Sequence, residues 1–400
     1  MKRIVILCDG TWNRSDSITP TNVVRFSQAM RLMDEAGTVQ VPIYVQGVGT
    51  GRGPTPWLRK MDSLLGGAFG LGLMSNIVEA YRHLVFLYEP GDEIFILGFS
   101  RGAYTARSLT GFIRSTGIID RDALPEIPRA VARYRTMDDD TTHPATEESH
   151  AFRAGISRRV VTSEAEHAWR LSQGMPDAPV LRIRYLGVWD SVGALGVPAS
   201  VPVLGRWTAS KYRFHDANLS SMVQSARHAV ALDERRRAFA PTRWDNLAAL
   251  NAEAESGAGT PYLEQFFAGD HGSVGGGGDI IELSSIGLGW IIEGAREAGL
   301  AFDAQALARI EASQNPMGPL RNTTRPPTGA LNAVMRLRPL DREGPSTLDE
   351  VHGSVHERWI ADAKTEGFRP YRPASLQRVH THLVAMHGDL VRDGDGTRIT

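Results

Sequence analysis

The sequence carries a single cysteine, Cys8, which rules out an intrachain disulfide framework and a cysteine-only zinc site. Long apolar runs are missing too, since nothing approaches the roughly 18 consecutive apolar residues of a membrane-spanning helix. Met1-Lys2-Arg3 precedes only the short run Ile4 to Cys8 and then Asp9, too brief for a secretory signal. The expectation is a cytoplasmic protein whose chain enters its first strand at once; export by a specialised secretion system is compatible with it. An excess of one charge is also absent. Lysine and arginine number 44 against 45 acidic residues, so no global basic field draws in nucleic acid, which is not expected as a partner. No internal repeat is visible. What is present is an ordinary globular composition over 400 residues, 42% hydrophobic and 22% charged, enough to bury a sizeable core.

The order of patterns suggests strands alternating with helices. Ile4 to Cys8 reads as a buried parallel strand ending in the loop Asp9-Gly10-Thr11. Val23 to Ala36 reads as a helix, Val41 to Val45 as a strand, and Asn76 to Tyr88 as a helix stopped by Pro90-Gly91-Asp92. Between them, residues 47–75 are rich in glycine and in apolar side chains, among them Trp57, Leu58, Leu64, Leu65, Phe69, Leu71, Leu73 and Met74. Two roles fit that stretch: a mobile cover over a ligand site, or close helix packing in the core. Glu93 to Phe99 is the strongest strand signal and turns directly into a helix from Ala103 to Arg114. Residues 120–180 read as helices with loops, Val180 to Trp189 as a strand, Leu219 to Leu232 as a helix and Gln265 to Ala268 as a strand. Residues 314–348, rich in Pro, Arg and Asn, read as a long surface connection. The pattern implies an α/β fold with a mainly parallel sheet covered on both faces. On this reading 1–400 form one domain, with a helical insertion at about 120–180.

Chemistry concentrates at three strand ends. Gly98-Phe99-Ser100-Arg101-Gly102 matches G-x-S-x-G at a strand-to-helix turn, the context in which the motif has physical meaning. Such a turn strains the serine and lifts its hydroxyl clear of the sheet at the positive end of the next helix. Ser100 is thus the candidate nucleophile, with the Arg101 N–H as an oxyanion donor. An acid and a histidine should follow, in that order, after later strands. Asp190 ends the strand Val180 to Trp189, and Asp233 also precedes the histidine but lies in the charge run Asp233 to Arg237. Asp190 is the preferred acid for its place at a strand end. His271 stands among glycines just past the last strand and is the candidate base. The Gly10–Thr11 loop suits a second oxyanion donor, because ligands bind at the C-terminal ends of parallel strands.

Other residues carry less. Asp9-Gly10-Thr11 lacks the first aspartate of D-x-D-x-T, since Leu7 stands there, so aspartyl-phosphatase chemistry is not expected. His352 and His356 have a metal-like spacing, but Gly353 occupies the position that H-E-x-x-H gives to glutamate. His228 precedes a charge run that reads as solvated or ion-paired.

Several separated stretches together resemble the DUF2235 family, which includes the catalytic domain of type VI secretion phospholipase effectors. They are Cys8 to Asn13, Gly47 to Thr50, Tyr88 to Arg107, Gly187 to Gly193, His228 with Leu232 to Arg236, Phe267 to Gly278 around His271, Ser354-Val355 with Glu357-Arg358, and Tyr371-Arg372-Pro373. The resemblance implies an α/β-hydrolase fold, a Ser100–Asp190–His271 triad and esterase or lipase chemistry, with phospholipid as the best-known substrate class. The expected partner is a small-molecule or lipid ester, reached by transient contact with a membrane surface, and no metal or organic cofactor is required. Gly272-Ser273-Val274 departs from the Ser-Asp-Val that commonly follows the family's histidine.

Overall fold

The computed structural model describes residues 1–11, 13–47, 67–136, 141–193, 218–254, 260–324, 339–361 and 370–388, with the side chains of 67–71 and 238 outside that description. Six strands form one sheet: β1 (Arg3–Cys8), β2 (Gln40–Val45), β3 (Glu93–Phe99), β4 (Ile183–Trp189), β5 (Ala226–Ala231) and β6 (Tyr262–Phe267). Their order is β2-β1-β3-β4-β5-β6, and every neighbouring pair is parallel. The connections carry α1 (Asn22–Ala29), α2 (Gly67–Leu87) and α3 (Arg101–Thr116). The stretch between α3 and β4 adds α4 (Ile127–Tyr134), α5 (Glu147–Ile156) and α6 (Glu164–Ser172). Beyond β5 follow α7 (Leu247–Glu253), α8 (His271–Gly275), α9 (Glu282–Glu297), α10 (Ala304–Ala312), α11 (Gly353–Ile360) and α12 (His380–His387). This is an α/β-hydrolase-like architecture, an open parallel sheet with helices on both faces and a helical insertion.

The strands read as apolar runs because both sheet faces are covered. On one face Ile4, Ile6 and Cys8 pack with Tyr81 and Leu84 of α2 and with Leu109 and Phe112 of α3. On the other, Val5 and Leu7 meet Val23 and Phe26 of α1 and Leu288 and Ile291 of α9. Full burial of each such side chain is worth about 1.5–3 kcal/mol, so both layers hold the sheet. The chain leaves β1 for β2 on one side and β3 on the other, which opens a crevice at the C-terminal ends of β1 and β3, where such sheets bind ligands. A third cluster, with Phe266, Val355 and Trp359, seals the β6 edge. In the insertion, the buried Glu166 accepts from Arg153 at 2.7 Å and Arg170 at 2.5 Å and so pins α5 to α6. No helix among the described residues is long and apolar enough to cross a membrane.

Three sequence expectations are corrected or bounded. The helix expected over Leu219–Leu232 is not formed; Ala226–Ala231 of that span are strand β5, buried between β4 and β6. Its alanines favour a helix in isolation, but small side chains also suit a central strand packed on both faces, and the ladder prevails. The first helix ends at Ala29 rather than Ala36, because Met30 turns extended and bridges Phe302. In the glycine-rich stretch, Leu73 and Met74 are core residues of α2, while Trp57, Leu58, Leu64, Leu65 and the side chains of Phe69 and Leu71 lie outside the described residues.

The start of α3 is pressed onto the end of β1. A Cβ on Gly102 would lie 2.2 Å from the Cys8 carbonyl oxygen and 2.4 Å from that of Asp9. Gly102→Ala should therefore lose roughly 2–4 kcal/mol of stability in denaturant melts, since only backbone stands in the way of the methyl group. A melt unchanged from wild type would contradict this packing.

Candidate active site

Ser100 sits where β3 turns into α3, with φ 59° and ψ −124°. Among the described residues the non-glycine positions with positive φ are Ser100 and Asp190, the two lying at neighbouring strand ends. Such backbone conformations cost about 1–3 kcal/mol and persist only where the surroundings enforce them. Here the Ser100 N–H donates to the Trp189 carbonyl at 3.0 Å, and the Val192 N–H reaches the Ser100 carbonyl at 3.5 Å. The Ser100 side chain makes no capping bond to α3, so the hydroxyl is not spent on the helix end.

Gly10 brings the β1 loop against the serine. A Cβ at Gly10 would stand 3.2 Å from Ser100 Cβ, a tight contact, so the missing side chain eases the approach of the Gly10–Thr11 backbone to the serine. The loop is anchored by the buried Asp9. Its carboxylate accepts from the Gly10 N–H at 2.7 Å, the Thr21 hydroxyl at 2.9 Å and the Tyr44 hydroxyl at 2.7 Å. Burial pushes the Asp9 carboxyl up, and these donors pull against it. Arg101, the other sequence-predicted oxyanion residue, is the first residue of α3, and burial pushes its guanidinium down to about 10.

Asp190 follows β4 and His271 opens α8 just beyond β6. His271 Nδ1 donates to Asp190 Oδ2 at 2.5 Å. Since the carboxylate only accepts, the ring proton sits on Nδ1 and leaves Nε2 as the basic nitrogen. Phe99 and Phe239 flank the imidazole at centroid distances of 4.6 and 4.7 Å and fix its plane. Asp233, the alternative acid, is turned elsewhere and accepts from the Gly269 N–H and the Tyr371 hydroxyl, both at 2.6 Å. The charge run pairs within itself at Glu234–Arg236, and Arg236 lies over the Phe239 ring.

Two contributors are given no role in the site by the sequence. Arg342 grips Asp190 with both guanidinium nitrogens, Nη1 to Oδ1 at 2.6 Å and Nη2 to Oδ2 at 2.9 Å. It lies in the stretch 314–348 that reads as a surface connection, yet it is buried. The Ala231 N–H adds a fourth bond to the carboxylate at 2.9 Å. Burial alone would push the Asp190 carboxyl up, but the Arg342 charge and the His271 hydrogen bond hold it far below the usual carboxylate range. The second contributor is His228 on β5, fully buried, whose Nε2 accepts from the Ser191 N–H at 3.1 Å while Nδ1 donates to Glu264 at 2.7 Å. It fixes the turn that carries Asp190. The sequence offers no signal for Arg342 beyond one basic residue in Asp341-Arg342-Glu343, and the helical look of the β5 segment hides His228.

Asp9, Asp190 and His271 do not converge as a metal-binding set, and among the described residues no group of three or more His, Cys, Asp or Glu does. His352 instead caps α11 through Nδ1, which accepts from the Ser354 N–H at 3.2 Å.

The family described as the type VI secretion phospholipase effector Tle1-like catalytic domain matches residues 2–294. An uncharacterized protein of Saccharomyces cerevisiae is 26% identical over 245 residues, covering 60% of this chain and 32% of its own length. A solved structure of the Tle1 effector bound to the VgrG spike of the type VI secretion system aligns with 70% of this chain and 52% of its own, at 17% identity and a TM-score of 0.38. An uncharacterized protein from Pseudomonas aeruginosa aligns over 97% of this chain and 59% of its own, at 16% identity and a TM-score of 0.39. The chain thus spans 32% of its yeast relative and 52% and 59% of the two solved chains. With its family motifs falling on the strand ends that carry Ser100, Asp190 and His271, the chain belongs to the Tle1-like phospholipase-effector catalytic-domain family.

Proposed function

We propose that the protein is a serine hydrolase that cleaves carboxylic esters, with lipid esters, phospholipids foremost, as its substrates. The observation that carries this reading is the 2.5 Å bond from His271 to a buried Asp190 at the sheet end that also holds the strained Ser100. Family membership supplies the lipid substrate class.

The reaction runs by acyl transfer. Ser100 Oγ attacks the ester carbonyl while His271 Nε2 takes its proton. Asp190 holds the ring in the required tautomer and offsets the positive charge that develops on it. The oxyanion of the tetrahedral intermediate is held by the Arg101 N–H and by the Gly10–Thr11 loop, at the positive end of α3. Collapse of the intermediate expels the alcohol, which receives the proton from Nε2. Water then enters by the same base and releases the acid from the acyl-enzyme. The residues in the role of nucleophile, acid, base and oxyanion donors need no cofactor.

Two predictions follow from these roles. Ser100→Ala should lower kcat on p-nitrophenyl esters and on phospholipid vesicles by roughly 10⁴–10⁶-fold. It should leave the melting temperature unchanged or slightly raised, because backbone strain at the turn is eased. A variant that keeps more than a few percent of the wild-type rate would remove Ser100 as nucleophile. Asp190→Asn should lose about 10⁴-fold in kcat, whereas Asp233→Asn should stay within about tenfold of wild type once folding is verified. The reverse order would transfer the acid role to Asp233.

A further inference from the structure

We infer that Arg342 is a positioning residue whose fixed charge and fork hold the buried Asp190 carboxylate towards His271, and so sets how far into acid the proposed hydrolase works. The inference rests on the Ser100–His271–Asp190 reading. Its physical core is a problem of charge. Asp190 is fully buried, and among the described residues its two oxygens accept from His271, Arg342 and the Ala231 N–H. A buried carboxylate without a countercharge is costly, and it favours any proton that neutralises it. Were His271 the sole cationic partner, the pair would keep its extra proton, on the ring or on the carboxylate, to a higher pH. The guanidinium of Arg342 carries a permanent charge, so the pair can release that proton.

The geometry is specific for this task. The bidentate grip fixes the plane of the carboxylate and leaves Oδ2 aimed at His271 Nδ1. Arg342 is held in turn by the Ala231 carbonyl at 2.9 Å and by the carbonyl of Phe239, whose ring packs on His271. The acidic groups described around His271 have partners of their own. Glu234, which accepts the His271 backbone N–H at 3.4 Å, is bound to Arg236. Asp270 accepts from the Ser273 N–H and hydroxyl, and Asp233 is bonded to Tyr371 and Gly269. Arg101 stands next to Ser100 at the start of α3. Among the described residues, Arg342 is thus a cation in direct contact with the acid of the pair.

The test compares wild type, Arg342→Gln and Arg342→Lys by two readouts. The first is the pH dependence of kcat/KM on a soluble p-nitrophenyl ester. The second, independent of activity, is the pH titration of the His271 ring 13C signal, assigned with His271→Gln. Arg342→Gln should move the acid limb and the ring titration upward by about one pH unit. Arg342→Lys keeps a charge but not the fork, so its acid limb should stay within about 0.3 unit while kcat falls about tenfold. A folded Arg342→Gln that titrates as wild type overturns the inference. If Arg342→Gln does not fold, an Arg342→Lys whose acid limb moves by a full unit, or whose kcat is unchanged, overturns it instead. A ring titration that shifts in a protein without esterase activity would sink the hydrolase reading and leave the role of Arg342 intact. An active enzyme whose titration does not shift would do the opposite.

Discussion

The site end of this molecule is organised around one buried carboxylate. Asp190 receives donors from three directions: Ala231 at the end of β5, His271 beyond β6, and Arg342 from the chain after α10. Each of these donors lies more than forty residues from Asp190 in sequence, so the four bonds exist only once the sheet is assembled. Leaving such a carboxylate buried without its partners would cost about 3–5 kcal/mol. That penalty ties the parallel ladder to the loops that carry the candidate site.

Around that anchor, backbone geometry does most of the positioning. The crevice between β1 and β3 exists because the chain crosses over between β2 and β3, and the serine turn and the Gly10 loop meet there. Missing side chains matter as much as present ones, since a methyl group at Gly102 would force α3 away from β1. Behind the site, the His228–Glu264 pair and the Arg243 guanidinium bonded to Glu264 at 2.5 Å stiffen the Ser191 turn from below. The candidate site is therefore held by rigid strand ends and their immediate turns, as the proposed acyl transfer would require.

Much of this is legible in the amino-acid order. Glu93 to Gly102 announces a strand, a sharp turn and a helix because glycine, serine and apolar residues each fall where that local geometry demands them. Asp190 is visible as the polar residue that stops an apolar run, and His271 as a histidine set among glycines just past one. What stays hidden depends on distance and context. Arg342 meets Asp190 across 152 residues, and nothing near it departs from an ordinary charged loop. The β5 segment is obscured because Ala226 to Ala231 satisfies a helix locally, and only its place between β4 and β6 makes it a strand.

The central claim is that Ser100 is a nucleophile activated by the His271–Asp190 pair, and covalent trapping tests it most directly. A fluorophosphonate should label the protein stoichiometrically, and peptide mapping by mass spectrometry should place the adduct on Ser100 alone. Labelling should disappear in His271→Gln, where the base is lost while the serine remains. An adduct on another serine, or no adduct in a folded wild-type protein, would contradict the account.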